Sequence, residues 1–105
     1  MDMGIRAFDR IPVLIDVEIS CNNMVVKGTL MNISESGMFI RTNNMPSPLH
    51  SQIEITIPLE DKSINISGRL VREENIRGYY NGIGVKVSYP PQNYLDFIDN
   101  LMTVL

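Results

Sequence analysis

The sequence holds no tryptophan, one histidine and one cysteine in 105 residues, and each scarcity removes a class of chemistry. Cys21 has no second cysteine to bridge to, so an internal disulfide is excluded. Cys21 and His50 together are too small a ligand set for a typical zinc site. Positive charge is not in excess: nine Lys+Arg stand against twelve Asp+Glu, for a net charge of −3 and a pI near 5.0. Bulk binding to nucleic acid or to an anionic membrane surface needs the opposite sign. No apolar run approaches the ~20 residues of a bilayer-spanning helix. Residues 1–6 also lack the basic-then-apolar order of a secretory signal, so a reducing cytoplasm is the simplest address. The two Asn-x-Ser triplets, at Asn32 and Asn65, then carry little weight as glycan acceptors. There is no Gly-x-Ser-x-Gly elbow, no Walker loop and no cysteine–histidine pairing, and the chain is read as non-enzymatic with no cofactor. The carboxylate pairs Glu60-Asp61 and Glu73-Glu74 fall at turns and strand ends, where solvation explains them.

What is present suits one small domain. A mass of 11.9 kDa, 44% hydrophobic and 20% charged residues, is close to the soluble globular average. Most of the chain has a period of two. Val13, Ile15, Val17 and Ile19 alternate with Leu14, Asp16, Glu18 and Ser20, as in a half-buried strand. Asn22-Asn23 signals a turn, a second strand runs from Met24 to Ile33, and Ser34-Glu35-Ser36-Gly37 turns into a third at Met38 to Thr42. The prolines at 46 and 48 mark a loop over residues 43–51. Ile53, Ile55 and Ile57 define a fourth strand, Ile64, Ile66 and Leu70 a fifth, and Ile83, Val85 and Val87 a sixth. Gly82 and Gly84 mark a bulge or a close backbone approach in the last of these. Beyond Pro90-Pro91, Tyr94, Leu95, Ile98, Leu101, Met102 and Leu105 follow three-and-four spacing, so residues 92–104 are predicted as an amphipathic helix. The expected architecture is a six-stranded antiparallel β-barrel with a C-terminal α-helix. Residues 1–10 would form a flexible arm, 11–89 the barrel and 91–105 the helix.

Two short motifs could carry chemistry. Arg6 and Arg10 lie four apart just before the first strand. Their planar, permanently charged forks can grip phosphates or stack on a purine. The second motif is Asn32-Ile33-Ser34-Glu35-Ser36-Gly37. Here an amide can read a base edge, a hydroxyl can reach phosphate or base, and glycine leaves room beside the backbone. The same three residue types also favour turns for local reasons. The second Asn-x-Ser copy has Leu70 where the first has Gly37, so it fails the pattern.

Taken together, Arg6, Arg10, Asn32, Ser34 and Gly37 resemble the signature of the PilZ family of cyclic di-GMP receptor domains. That signature is Arg-x-x-x-Arg before the first strand, followed by Asp/Asn-x-Ser-x-x-Gly. The Gly68-Arg69-Leu70-Val71-Arg72 and Gly82-Ile83-Gly84-Val85-Lys86-Val87 segments are similar to later strands of the family. The resemblance implies a ligand clamp. Arg6 and Arg10 would hold guanine faces and phosphates, Asn32 would read a guanine edge, Ser34 would contact phosphate or base, and Gly37 would admit the ligand close to the turn. Arg72 is a second-rank candidate. Ile5 stands where some members carry a further arginine, which implies one ligand per domain. The implied partners are cyclic di-GMP and a downstream protein in bacterial motility, biofilm or pilus regulation. The competing possibility is a PilZ-like domain that binds no nucleotide and serves as a protein-interaction subunit.

Overall fold

A computed structural model describes residues 10–43, 48–76 and 80–104. The elements run β1 (Ile11–Cys21), β2 (Met24–Ser34), β3 (Gly37–Arg41), β4 (Gln52–Pro58), β5 (Ser63–Ile76), β6 (Tyr80–Lys86) and α1 (Gln92–Val104). All neighbouring strands pair antiparallel, and the sheet closes in the order β1-β2-β3-β6-β5-β4, with β4 returning to β1 at Glu18, Ile19 and Ser20. The structure is therefore the six-stranded antiparallel barrel with a C-terminal helix that the patterning predicts.

Isoleucine supplies most of the interior. Ile19, Ile33, Ile40, Ile55, Ile57 and Ile66 are fully buried, and β-branched side chains suit a pleated surface that is packed on one face. Closure removes most of the free strand edges that would otherwise invite pairing with another chain. Asn22 and Asn23 both have positive φ, 51° and 68°, which is what a two-residue hairpin turn of the primed type demands of β1–β2. The Ser34–Gly37 hairpin is equally short, because β2 ends at Ser34 and β3 begins at Gly37. Asn65, the second Asn-x-Ser, lies mid-strand and accepts a hydrogen bond from the Thr56 hydroxyl at 3.0 Å.

The pairing register shifts at three places, and in β2 and β5 the shift breaks the two-residue period. Between Pro12 and Ile15, two residues of β1 face one of β2, and Leu14 is pushed into solvent. β1 itself keeps its alternation, with Val13 and Ile15 half-buried and packed against the core cluster. Met31 is the extra residue of β2 against β3, and Val71 that of β5 against β6. A bulge of this kind turns every residue beyond it to the opposite face.

Pro90-Pro91 ends the sheet, and the Pro91 carbonyl accepts the first helical amides, from Tyr94 and Leu95. Tyr94 and Ile98 join the same apolar cluster as the barrel isoleucines, with Phe97 and Leu101 packed at its margin. Asp96 and Asp99 lie on the exposed side of α1. Among the described residues no helix is long and apolar enough to cross a membrane.

Candidate functional site

The bulges at Met31 and Val71 assemble the site. Leu30 and Leu70 point into the core, so an unbroken strand would send Asn32 and Arg72 inward as well. The extra residue reverses this, and both side chains emerge on the outer face. They then belong to one row across the sheet: Pro12 faces Asn32, Asn32 faces Phe39, Phe39 faces Gly84, and Gly84 faces Arg72. Directly paired residues share a face, so five strands contribute to a single strip of surface.

Glycine shapes the floor of that strip. A Cβ on Gly82 would come within 2.1 Å of the Phe39 Cζ, so the tip of the ring lies directly on the β6 backbone. Phe39 is 7% exposed yet stands apart from the core cluster. One position along, the Arg72 Nε would be 3.3 Å from a Cβ on Gly84. Arg10, Asn32, Phe39, Arg72 and Glu74 together line a depression of about 250 Å³.

Two polar contacts organise it. The Arg10 Nη1 donates to the Asn32 Oδ1 at 2.9 Å. Arg72 Nε and Glu74 Oε2 form an ion pair at 3.0 Å. Arg10 and Asn32 are thus brought together as expected, although Arg10, placed by the sequence on a free arm, is already tied to β2. Arg6 and the remainder of the arm, residues 1–9, lie outside the described residues.

Ser34 and Gly37 occupy the turn at the end of this strip. Ser34 is 3% exposed. Its hydroxyl accepts from the Ser36 amide at 3.3 Å and lies 3.4 Å from the Gly37 carbonyl, to which it donates. The Ser34 hydroxyl thus organises the turn. Gly37 is needed for a packing reason: a Cβ there would meet the Val85 carbonyl at 2.7 Å, with the Arg10 Nη2 3.7 Å away. The turn is bonded outward too. Val87 donates its amide to the Ser36 carbonyl at 2.9 Å, and the Tyr94 hydroxyl donates to the Ser34 carbonyl at 2.7 Å. Burial pushes the Tyr94 phenol well above its ordinary value, with the Arg10 charge acting in the opposite sense.

Phe39 is invisible to motif reading, and Glu74, which the sequence explains by solvation, is instead paired with Arg72 in the depression. Phe39 sits between two core residues, Met38 and Ile40, and looks like part of a buried strand. Gly82 and Gly84 were the available signal, since a side-chain-free strand leaves room for an aromatic ring and a guanidinium. The expected close approach is found at Gly82, and the bulge lies on the partner strand, at Val71. His50 is exposed with a φ of 72°. Among the described residues no three His, Cys, Asp or Glu side chains gather into a metal-binding set.

A small closed barrel with an arginine-lined depression beside a hairpin turn defines a binding domain. The model of the PilZ domain matches residues 5–102, and the chain belongs to that family, whose members are generally regulatory binding domains. A search of curated proteins finds no match. Among solved structures, the chain is similar to the Bacillus subtilis inhibitor of motility MotI/DgrA, with a TM-score of 0.69 and 16% identity. That alignment covers 91% of this chain and 51% of the other, so the chain spans about half of MotI/DgrA. It is also similar to the PilZ domain of CeSA from a cellulose-synthesizing bacterium. The TM-score there is 0.65 at 21% identity, covering 91% of this chain and 97% of that one. At such identities these likenesses show the fold.

Proposed function

We propose that the domain is a non-enzymatic receptor for cyclic di-GMP that passes the signal to a protein partner in the bacterial cytoplasm, in control of motility, biofilm or pili. One observation supports this above the others. Two arginines and an amide suited to a cyclic dinucleotide, the signature residues Arg10 and Asn32 and the second-rank candidate Arg72, converge on one depression from three separate parts of the chain.

The ligand presents two phosphates and two guanines. Arg10 and Arg72 suit the phosphates or the guanine faces through charge-assisted hydrogen bonds and stacking. The Asn32 Oδ1, now held by Arg10, is an acceptor for the guanine N1–H and N2–H, and Arg10 must swing toward the ligand to release it. Arg6, in the segment that precedes β1, would add a further guanidinium to the ligand's phosphates or guanine faces. Ser34 and Gly37 hold the turn against which the ligand lies. The Tyr94 bond to Ser34 gives the turn a direct connection to α1.

A calorimetric titration tests this reading. The expected result is one cyclic di-GMP per protomer, a ligand-dependent rise in melting temperature and no hydrolysis product. No heat and no stabilisation would leave the interaction-subunit alternative. That alternative draws support from the free site, where Arg10 already has Asn32 and Arg72 already has Glu74 as partner.

Asn32→Ala probes base reading. It would leave guanine edge groups unpaired in the complex, at about 1–3 kcal/mol, so affinity should fall roughly 5- to 150-fold. Asn32 lies on the outer face, so its melting temperature without ligand should barely change. Unfolding of the variant would assign Asn32 to the turn instead.

A further inference from the structure

Glu74 does not belong in a pocket built for a dianion, yet it is one of the five residues lining the depression. Arg72 and Glu74 are two apart on β5, beyond the Val71 bulge, and share its outer face. Across the pair with β6 they stand over Gly84 and Gly82, so no β6 side chain separates either group from the strip. The Glu74 Oε2 sits 3.0 Å from the Arg72 Nε, with the two side chains 37% and 53% exposed.

We infer that Glu74 is an internal competitor for the ligand's phosphates, lowering the affinity of the site by holding Arg72 while it is empty. The inference rests on the receptor reading above. A carboxylate at this place acts in three ways. It neutralises Arg72, it occupies the Nε side of a fork that would otherwise engage a phosphate in a bidentate manner, and it adds a like charge to the space that a phosphate enters. Because the pair is substantially exposed, it contributes little to folding. The carboxylate is therefore displaceable, and its cost falls on binding. The described lining residues carry two positive charges and one negative; removing the carboxylate leaves the two arginines unopposed.

The test compares cyclic di-GMP titrations of the full chain, Glu74→Gln and Glu18→Gln. Glu18 is exposed in a separate groove shared with Asp16, Lys27 and Arg41. Either substitution raises the net charge by the same single unit, from the wild-type −3. Glu74→Gln is expected to bind roughly 3- to 30-fold more tightly, with the melting temperature without ligand nearly unchanged, and Glu18→Gln less than about twofold. In an Arg72→Ala background the gain from Glu74→Gln should shrink, since the two residues act as a pair. Unchanged or weaker binding by Glu74→Gln overturns the inference, and weaker binding would make Glu74 a support that positions Arg72. Equal tightening by Glu18→Gln also overturns it, reducing the effect to overall charge. Absence of binding by all three proteins is a different failure, which removes the receptor reading and the inference with it.

Discussion

Arg10→Ala is expected to bind cyclic di-GMP at least about 100-fold more weakly than the wild type. The estimate comes from two charge-assisted hydrogen bonds, each contributing roughly 1.5–3 kcal/mol in a complex. Calorimetry measures the loss directly. The unliganded melting temperature should move little, because Arg10 is exposed and, among the described residues, its side chain hydrogen-bonds to Asn32 on the outer face. That bond gives Arg10 a second role. It holds the guanidinium beside the depression before ligand arrives, so less conformational freedom is lost on binding than for a side chain on a free arm. Arg10→Lys keeps the charge but loses the planar fork and should recover only a fraction of the affinity. Full recovery by lysine would show that Arg10 acts as a point charge and neither stacks nor grips. A variant that binds as well as wild type would remove Arg10 from the site.

Legibility followed from how local each signal is. The strands at Ile53–Ile57 and Ile83–Val87 declare themselves because alternate residues are isoleucine or valine, and burial of one face is all that alternation reports. The terminal helix declares itself because Pro90-Pro91 forbids continuation of the sheet and the apolar spacing then changes. The Asn22-Asn23 turn is equally local. What stayed hidden depends on pairing. A single extra residue at Met31 or Val71 leaves no compositional trace, yet it decides whether Asn32 and Arg72 face the core or solvent. For Arg72 an unbroken alternation from Ile64 through Leu70 points inward, the opposite of what is found. Phe39 looks like core because its neighbours Met38 and Ile40 are core. Its position over Gly82 exists only once β3 and β6, some forty residues apart, lie side by side. In the sequence alone, Gly37 signals room for a ligand. Its tightest constraint is the Val85 carbonyl of β6, again a contact across the sheet. Arg10 and Asn32 were legible as candidates, but their mutual bond requires the two ends of the β1–β2 hairpin to meet.

Tyr94→Ala should cost about 3–5 kcal/mol of stability, the range for deleting a large buried aromatic, and should detach α1 from the barrel. Tyr94 is fully buried, at 0% exposure, and it joins the helix to the core and to the Ser34–Gly37 turn at once. Tyr94→Phe separates these roles. It keeps the ring and leaves the Ser34 carbonyl without the hydroxyl that now donates to it at 2.7 Å, for an expected loss of about 1–2 kcal/mol. Alkaline pH offers an independent check. Burial raises the phenol's pKa in the folded state, whereas in the unfolded chain it titrates near its ordinary value of about 10. The unfolded state therefore loses its proton first. The stability that Tyr94 confers is complete below about pH 10 and declines as pH rises toward the folded value. Tyr94→Phe cannot titrate here, and the other tyrosines are common to both proteins. The stability gap between wild type and Tyr94→Phe, measured by urea unfolding, should hold steady below pH 10 and narrow above it. A gap that stays constant through pH 11 would mean that the phenol is as free to ionise in the fold as outside it. Such a phenol could not be the buried link between the Ser34–Gly37 turn and the helix.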